Sequence, residues 1–528
     1  MRKVLTYIRW GSLAVVLIIC SWLFWPERQE AAHEEGREVE YTIRFAPGQQ
    51  YYPGSVPFGI GEPLEGLRDV IRDYEEENPH VRIRVVNVPG VREYLVTQLS
   101  SGQAPDIINV NVEDVWVDIH KGWYLPLDSF LEAPNPYIRD LGDPDVPGYD
   151  EWWDMFEYQA ISRGKAAPDG KNYTITYDMI ETGIFYNKDI FDEVGIEPPT
   201  DWEDWMESMA RLDEAGYIPL LMVIDWFNGW ASDLFFDQLY YDILPGIDLL
   251  QDPVREQYLE GYLDADEITF LFQKGFLTHD DPRYRDVWRI MHDFRQYCNQ
   301  NISTFDPVRE FVTQRGAMIW SSSLFAYRLA GDPQLEFDYG VFYLPRFTEE
   351  TSEFASDVEM CVIGGSGTQL EVTNTAIGDT DPSLSMEERM AESERLKEVM
   401  NFLHFITLPE NYERIVNEYA CMIPNIKGVE VLPPLKPFTE ILERRYTTTK
   451  WVGKFDLRFT EIQRRSLELY LNDSIDLDSF MNWQVDNLRM ATENHIMRKE
   501  DIDFETMERE WERRAPLRAE YEGMPYEQ

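Results

Sequence analysis

The order of apolar patterns between residues 41 and 110 constrains the fold of this chain more than any other feature of its sequence. Short segments with strand-like alternation are separated by segments whose apolar residues recur at helical spacing. The strand patterns span 41–45, 81–85 and 106–110, and the helical patterns span 64–74 and 91–99. A strand–helix–strand–helix–strand order predicts a parallel sheet with helices on its faces, and therefore an α/β fold.

The segment after the first predicted strand, residues 49–61, is long and rich in Pro, Gly and aromatic residues. It reads QQYYPGSVPFGIG. Open α/β sheets bind their ligands in the crevice beyond the carboxyl ends of the strands. We therefore expect this segment to lie near a ligand-binding crevice.

The charge balance excludes one large class of partner. The chain has 97 acidic and 48 basic residues among 528, which gives a formal net charge of −49, and 44% of its residues are hydrophobic. That hydrophobic fraction is ordinary for a globular protein that buries a large core. The negative field repels phosphate backbones, so nucleic-acid binding is not expected.

Residues 1–25 are predicted to be a targeting segment. Three basic residues precede an apolar stretch at 10–25, and an acidic linker follows at 26–39. This arrangement is typical of a signal peptide or of an uncleaved signal-anchor, and the basic start places the rest of the chain outside the cytoplasmic membrane. We therefore expect a protein tethered to the outer face of that membrane, extracellular in a Gram-positive bacterium and periplasmic otherwise.

Cys20 lies inside this leader, in a segment that resembles a bacterial lipobox. Leu17 and Cys20 match the motif, whereas Ile19 stands where the motif has a small residue. Lipid attachment at Cys20 and an uncleaved signal-anchor are therefore the two alternatives for the tether. The cysteines at 298, 361 and 421 have no zinc spacing and are odd in number, so we expect small buried side chains there.

The residue types that carry catalysis and metal binding form no recognisable motif. The seven histidines are scattered, without HExxH or a facial triad. The run GGSGT at 364–368 departs from a nucleophile elbow and lacks the lysine of a phosphate loop. Paired carboxylates are too frequent in so acidic a chain to indicate a glycosidase. We expect no metal, no cofactor and no enzymatic activity.

The aromatic residues, which make up 14% of the chain, are more informative. Trp226 and Trp230 flank an Asn-Gly pair after an apolar strand pattern, which favours an exposed turn. Trp320 precedes three serines, and Phe325 follows shortly after them. Pyranose sugars place their C–H faces on aromatic rings and hydrogen-bond to carboxylates and amides. These positions suit a sugar site, and ordinary core packing is the open alternative for each of them.

Several segments together resemble the family 1 extracellular solute-binding proteins, the sugar receptors of ABC importers of the maltose-binding type. The most specific segment is TYDMIETGIFYNKDIF at 176–191, followed by GI at 195–196 and PPTDW at 198–202. Further matches are APDII at 104–108, LPLD at 125–128, GAM at 316–318, YGV at 339–341 and FLHFITLPE at 402–410. The resemblance covers almost the full length of the chain.

This resemblance implies two α/β lobes, each discontinuous in sequence, that close over a ligand at a hinge, as in the type II periplasmic-binding-protein fold. The first lobe would comprise 40–155 and 352–425, and the second would comprise 156–351 and 426–528. Gly364 and Gly365 would lie where the chain re-enters the first lobe. The implied protein is a monomer.

The resemblance also implies ligand-binding positions. Acidic residues after the third strand and before the YNK segment would bind sugar hydroxyls, and aromatic residues of the second lobe would stack on sugar rings. Leu324 stands where maltose-type receptors carry a stacking Trp, so Trp320 or Phe325 would take over that role. The full set is Glu113, Asp114, Asp178, Glu181, Trp226, Trp230, Trp320 and Phe325.

The leading hypothesis is a non-enzymatic receptor that captures a carbohydrate, an oligosaccharide in particular, and delivers it to the permease subunits of an ABC transporter. Contacts to both lobes exist only in the closed form, so the ligand favours closure. Two alternatives are a surface glycoside hydrolase and a receptor that senses its ligand without transporting it.

Overall fold

The strands and helices between residues 41 and 110 form at the predicted positions. The apolar residues of each recur at the spacing of a strand or of a helix, and the helices end close to a Pro or a Gly. Helix Gly66–Glu77 buries Leu67, Val70 and Tyr74 along one face and ends at Asn78, directly before a proline. Helix Arg92–Ser100 ends shortly before Gly102, which has a positive φ of 67°.

A computed structural model describes most of the chain in ten stretches and five isolated residues. Several predicted features lie outside the described residues: the leader with Cys20, nearly all of the acidic linker, and Glu113, Asp114 and Cys361. The described residues are 39–59, 61–88, 92–111, 115, 118–164, 167, 169–250, 263–303, 306–356, 358, 365, 367–442, 455, 457–499 and 502–520.

Strands and helices alternate along much of the chain, and helices alone follow the last strand. The strands are β1 (Tyr41–Ala46), β2 (Val81–Val85), β3 (Ile107–Asn109), β4 (Thr174–Thr176), β5 (Asp178–Met179), β6 (Thr182–Asn187), β7 (Ile218–Leu221), β8 (Gly316–Ser322), β9 (Tyr339–Phe342), β10 (Gln369–Val372) and β11 (Ile423–Pro424). The α-helices are Gly66–Glu77, Arg92–Ser100, Asp128–Leu131, Pro136–Arg139, Gln159–Gly164, Lys188–Val194, Trp202–Glu214, Ile224–Trp226, Ser232–Tyr240, Leu244–Ile247, Ala265–Gln273, Pro282–Arg295, Pro307–Val312, Leu324–Ala330, Met386–Glu392, Glu394–Ile406, Pro409–Val416, Lys436–Leu442, Leu457–Leu471, Leu477–Arg498, Phe504–Arg513 and Ala515–Arg518.

The first sheet has the strand order β2-β1-β3-β10-β4. β1 runs parallel to both β2 and β3, with Phe45 opposite Val85 and Ile107. This confirms the parallel arrangement that the order of the sequence patterns predicts. β10 comes from much later in the chain and runs antiparallel to both β3 and β4.

The second sheet has the order β7-β8-β6-β9, and a separate ribbon pairs β5 with β11. β7 is parallel to β8, whereas β6 is antiparallel to β8 and β9. Because β7 and β8 point the same way, their carboxyl ends lie at one edge of the sheet. β8 ends at that edge with Ser322 opposite Thr182, the first residue of β6.

Each sheet is covered by helices and has its own hydrophobic core. On the first sheet, one face packs against helices Gly66–Glu77 and Glu394–Ile406, and the other packs against helix Arg92–Ser100. The second core includes the buried apolar face of helix Trp202–Glu214, and it extends to Phe480 and Trp511 in the C-terminal helices. The molecule is therefore built from two α/β lobes.

The chain leaves the first sheet later than the sequence suggests. β4 pairs with β10 in the first sheet, although the predicted boundary between residues 155 and 156 assigns it to the second lobe. The crossing to the second sheet lies in residues 177–181, between β4 and β6. β4 pairs with no strand that precedes it in the sequence, so its position in the first sheet depends on β10.

Among the described residues, no helix combines the length and the apolar composition needed to cross a bilayer.

Candidate functional site

Three segments that pass between the two sheets run side by side. In the first, β5 pairs with β11 of the third segment through Met179 and Ile423. Ile180 pairs with Gly365 of the second segment, with reciprocal backbone hydrogen bonds of 2.8 and 2.9 Å. The sequence places Gly365 at a re-entry point, and its pairing agrees with that interpretation. This triple crossing has the form of a hinge.

Asp178 lies within the hinge and is fully buried. Its Oδ2 accepts a hydrogen bond from the Tyr51 hydroxyl at 2.6 Å, and its Oδ1 accepts one from the Thr368 backbone N–H at 2.6 Å. Burial raises the pKa of the Asp178 carboxyl from 3.8 to about 6, and both hydrogen bonds oppose that rise. A Cβ at Gly367 would lie 3.0 Å from Asp178 Oδ1, so the backbone approaches the carboxylate closely.

Three tyrosines enclose this carboxylate. The rings of Tyr51 and Tyr177 lie 5.6 Å apart between centroids, and those of Tyr177 and Tyr412 lie 4.9 Å apart. The Tyr412 hydroxyl donates to the Tyr177 carbonyl and accepts from the Asn425 backbone N–H at 3.0 Å. Burial raises the pKa of all three phenols well above 10, so they remain neutral; the Tyr51 hydroxyl donates to Asp178, and those of Tyr177 and Tyr412 donate to backbone carbonyls.

Glu181, the other acidic residue predicted before the YNK segment, is also fully buried. Its carboxylate accepts the backbone N–H of Thr182 at 2.6 Å. Its own backbone is bound on both sides by Ser323, which accepts from the Glu181 N–H at 3.3 Å and donates to the Glu181 carbonyl at 2.6 Å. These contacts join the crossing segment to the start of helix Leu324–Ala330.

Trp226 and Trp230 lie at the carboxyl edge of the second sheet, just after β7. Their rings are parallel within 6°, with centroids 5.4 Å apart, and both side chains are partly buried against the second core. The predicted exposed turn between them is wrong. Residues Phe227–Ala231 form one π-helical turn within a continuous helix that runs from Ile224 to Tyr240.

Trp320 and Phe325 lie in the core of the second lobe, which corrects their assignment to a ligand surface. Trp320 is 1% exposed and Phe325 is 4% exposed. Phe325 contacts Phe185 edge-on, with centroids 5.0 Å apart, and also packs on Phe311. Because these rings are covered by protein on their faces and edges, they present no surface to a ligand in this structure.

A contact between the lobes involves residues that sequence analysis missed. Tyr327 of the second lobe meets Tyr419 edge-on, with centroids 5.3 Å apart, and the Tyr419 hydroxyl donates to the Glu62 carbonyl. A Cβ at Gly61 would lie 2.9 Å from the Tyr327 hydroxyl oxygen. The loop at 49–61 was expected near a crevice, and Tyr51 and Gly61 belong to it. No local pattern indicated Tyr327 or Tyr419.

The space beside the hinge is small in this conformation. A cavity between Phe45, Tyr51, Tyr177 and Thr368 encloses about 10 Å³, near the lower limit for one water molecule. Leu324, which stands at the expected stacking position, packs partly buried against the core of the first lobe. A sugar would therefore need the lobes to separate before it could enter here.

The last points concern the two remaining predicted ligand positions, metal binding and the cysteines. Glu113 and Asp114 lie outside the described residues, so their placement stays a prediction. In the described part of the chain, no cluster of three or more His, Cys, Asp or Glu side chains has the proximity that a metal ion needs. Cys298 and Cys421 are free thiols there, and burial raises the pKa of each to about 12.

The sequence profile described as "bacterial extracellular solute-binding protein" matches residues 61–352, which is more than half of the chain. The chain belongs to this family. Its members are binding proteins, so the solute-binding protein is not an enzyme, and the glycoside hydrolase alternative is excluded.

Relatives and solved structures agree with this assignment. The "Multiple sugar-binding protein" of Streptococcus mutans is 19% identical over 393 residues, which cover 74% of this chain and 79% of the relative. The structure of RafE in complex with raffinose has a TM-score of 0.55 at 18% identity, covering 85% of this chain and 99% of RafE. The cyclic α-maltosyl-1,6-maltose binding protein of Arthrobacter globiformis has a TM-score of 0.56 at 17% identity, covering 86% and 99%. The solved structures establish the two-lobe, type II fold.

Proposed function

We propose that this solute-binding protein captures a carbohydrate, an oligosaccharide in particular, between its two lobes and delivers it to the permease of an ABC importer. The observation that carries the proposal is the pair of parallel, partly exposed indole rings of Trp226 and Trp230 at the carboxyl edge of the second sheet. That edge adjoins the first crossing segment, because Ser322 and Thr182 pair there. Ligands of α/β sheets bind at such edges.

The names of the similar proteins favour a sugar over other solutes. The relative in Streptococcus mutans is named for multiple sugars, RafE was solved with raffinose, and the Arthrobacter protein is named for a cyclic maltosyl-maltose. An uncharged sugar gains affinity from ring contact and from hydrogen bonds to charged groups. Two adjacent indoles offer the first, and the predicted acidic positions Glu113 and Asp114 offer the second.

The two buried carboxylates take different roles in this proposal. Asp178 and Glu181 already accept hydrogen bonds from the protein and are fully buried, so we assign them to the hinge and not to ligand contact. Ligand binding then acts through the hinge by population shift, because contacts to both lobes form only in the closed state. The closed form presents the surface that a permease recognises.

The tether, the division into lobes and the oligomeric state belong to the same proposal. The leader anchors a monomer to the outer face of the membrane, either through a lipid on Cys20 or as an uncleaved anchor. The first lobe comprises about 40–176 with 369–429, and the second comprises the remaining described residues, with the crossings between them. Mass spectrometry of the membrane-extracted protein distinguishes a lipidated Cys20 from an intact Met1.

A calorimetric screen tests the sugar proposal. Purified protein is titrated with raffinose, stachyose, maltooligosaccharides and their component monosaccharides, and the best ligand is carried forward to variants. Trp226→Ala should weaken binding by about 2 to 4 kcal/mol, the scale of an interface hot spot. Trp483→Ala is the matched control, because Trp483 is 47% exposed on helix Leu477–Arg498 and belongs to neither lobe edge.

Two results would contradict the proposal. One is the absence of binding to every sugar while another class of solute binds. The other is an equal loss of affinity in the Trp226 and Trp483 variants, which would show that the effect does not come from the candidate site.

A further inference from the structure

A second concave site lies wholly within the second lobe. It encloses about 440 Å³ between helix Pro307–Val312, helix Leu324–Ala330 and the turn that follows the second helix. Pockets for small molecules typically enclose 300 to 1,000 Å³, as an order of magnitude. Its lining residues fall between 306 and 334, and none of them belongs to the hinge segments or to the edge with Trp226.

Two arginines stand on different walls of this pocket. Arg309 comes from helix Pro307–Val312 and is exposed, and Arg328 comes from helix Leu324–Ala330 and is half-buried. Neither guanidinium has an ion pair or a hydrogen bond in the structure of the described chain. The chain has twice as many acidic as basic residues, so two unpaired guanidinium groups in one pocket depart from its general pattern.

The carboxylates of the pocket are directed at backbone groups. Asp306 Oδ1 accepts the backbone N–H of Arg309 at 3.3 Å as the N-cap of its helix. Asp332 Oδ1 accepts the backbone N–H of Gln334 at 2.9 Å. Each aspartate thus stabilises its own turn, and neither one neutralises Arg328. The guanidinium groups remain available as donors.

Two valines stand among the mostly polar residues that line the pocket. Val312 is 3% exposed, and Val308 packs partly buried against the second core. A ligand in the pocket can therefore contact Val308 with a carbon atom while its charged group meets the arginines. The guanidinium fork matches the oxygen spacing of carboxylate and phosphate groups.

We propose that this pocket binds a small anionic solute, one that carries a carboxylate or a phosphate group, independently of the sugar between the lobes. Arg309 and Arg328 would hold the anion from two sides, and Val308 would contact its carbon atoms. Binding there leaves the hinge free to open and close, because the lining comes from one lobe only.

The test uses the full-length protein and four probes: inorganic phosphate, citrate, glucuronate and glucose. Glucose and glucuronate share a ring and differ in the carboxylate, so the pair isolates the contribution of the anionic group. Titration calorimetry should detect phosphate, citrate and glucuronate, and Arg309→Gln and Arg328→Gln should each weaken that binding by about tenfold or more. Arg315→Gln is the matched control, because Arg315 is exposed and already paired with Glu310 at 3.4 Å.

Each possible result either supports the anion site or overturns it. Loss of anion binding in both pocket variants, with unchanged binding in Arg315→Gln and unchanged melting temperature without ligand, supports the site. The proposal is overturned if none of the three anions binds at millimolar concentration, or if binding survives in the double variant. It is also overturned if the pocket variants lose affinity for the neutral oligosaccharide, because the pocket would then be part of the sugar site.

Discussion

Replacing Asp178 with Asn should change how the stability of the protein depends on pH. The pKa of the buried carboxyl is about 6, against an ordinary value of 3.8, mainly because burial disfavours the charged form. The folded state therefore binds this proton more tightly than the unfolded state between about pH 4 and 6. In the wild-type protein this single group lowers the free energy of unfolding as the pH rises through that window. The difference in pKa corresponds to about 3 kcal/mol.

The amide introduced by Asp178→Asn does not titrate, so the variant does not lose this part of its free energy of unfolding as the pH rises. An amide also presents N–H atoms where the carboxylate accepts from Tyr51 or Thr368, which costs about 1 to 3 kcal/mol at every pH. The free energy of unfolding of the variant minus that of the wild type should therefore start negative in acid. It should then rise by about 3 kcal/mol between about pH 4 and 7.

Urea denaturation at a series of pH values, followed by tryptophan fluorescence, measures this difference. Other titrating groups are common to both proteins and cancel. Tyr51→Phe is an informative companion, because removing the donor to Asp178 Oδ2 should raise the carboxyl pKa further and extend the decline to higher pH. Parallel stability curves for wild type and Asp178→Asn would refute the reasoning, since they would show that the buried carboxyl keeps its ordinary pKa.

The other predictions concern the lobe contact, the C-terminal helices and the core. Gly61→Ala should hold the lobes apart, because φ is 92° there and a Cβ would meet Tyr327; X-ray scattering with saturating sugar should give a larger radius of gyration than for the wild-type protein. Wild-type protein saturated with its sugar should instead become more compact, and an unchanged radius would argue against closure. Arg518→Ala should destabilise the second lobe by about 2 to 4 kcal/mol, measured by calorimetric melting, because Arg518 is 1% exposed and lies over the Trp511 ring. Trp202→Ala should lower stability by about 3 to 5 kcal/mol without lowering sugar affinity in the folded fraction.

The elements that sequence patterns predict well are those that local periodicity determines. The strands at 41–45 and 81–85 and the helical pattern at 64–74 need only their own residues to show which face is buried. The parallel order of the first three strands follows from the helices between them. Family membership was also evident, because the segment at 176–191 is specific.

The parts that could not be predicted depend on residues distant in sequence. β4 belongs to the first sheet only because β10 pairs with it. Asn228-Gly229 has the composition of a turn, yet Phe227 and Ala231 are fully buried and hold the segment in a helix. Asp178 was predicted to contact ligand, but a tyrosine from the loop at 49–61 covers it. No short window of sequence contains both partners of the β4–β10 pairing or of the Tyr51–Asp178 contact.

The place of β10 between β3 and β4 affects how the protein is made. The strands synthesised first cannot complete their sheet until residue 372 has emerged, and the second core waits for Phe480 and Trp511. A chain that emerges from its N-terminus therefore completes its first core only after about residue 426, and its second core only near residue 511. Such late folding suits secretion, because an unfolded polypeptide can thread through a translocation channel that a folded lobe would block.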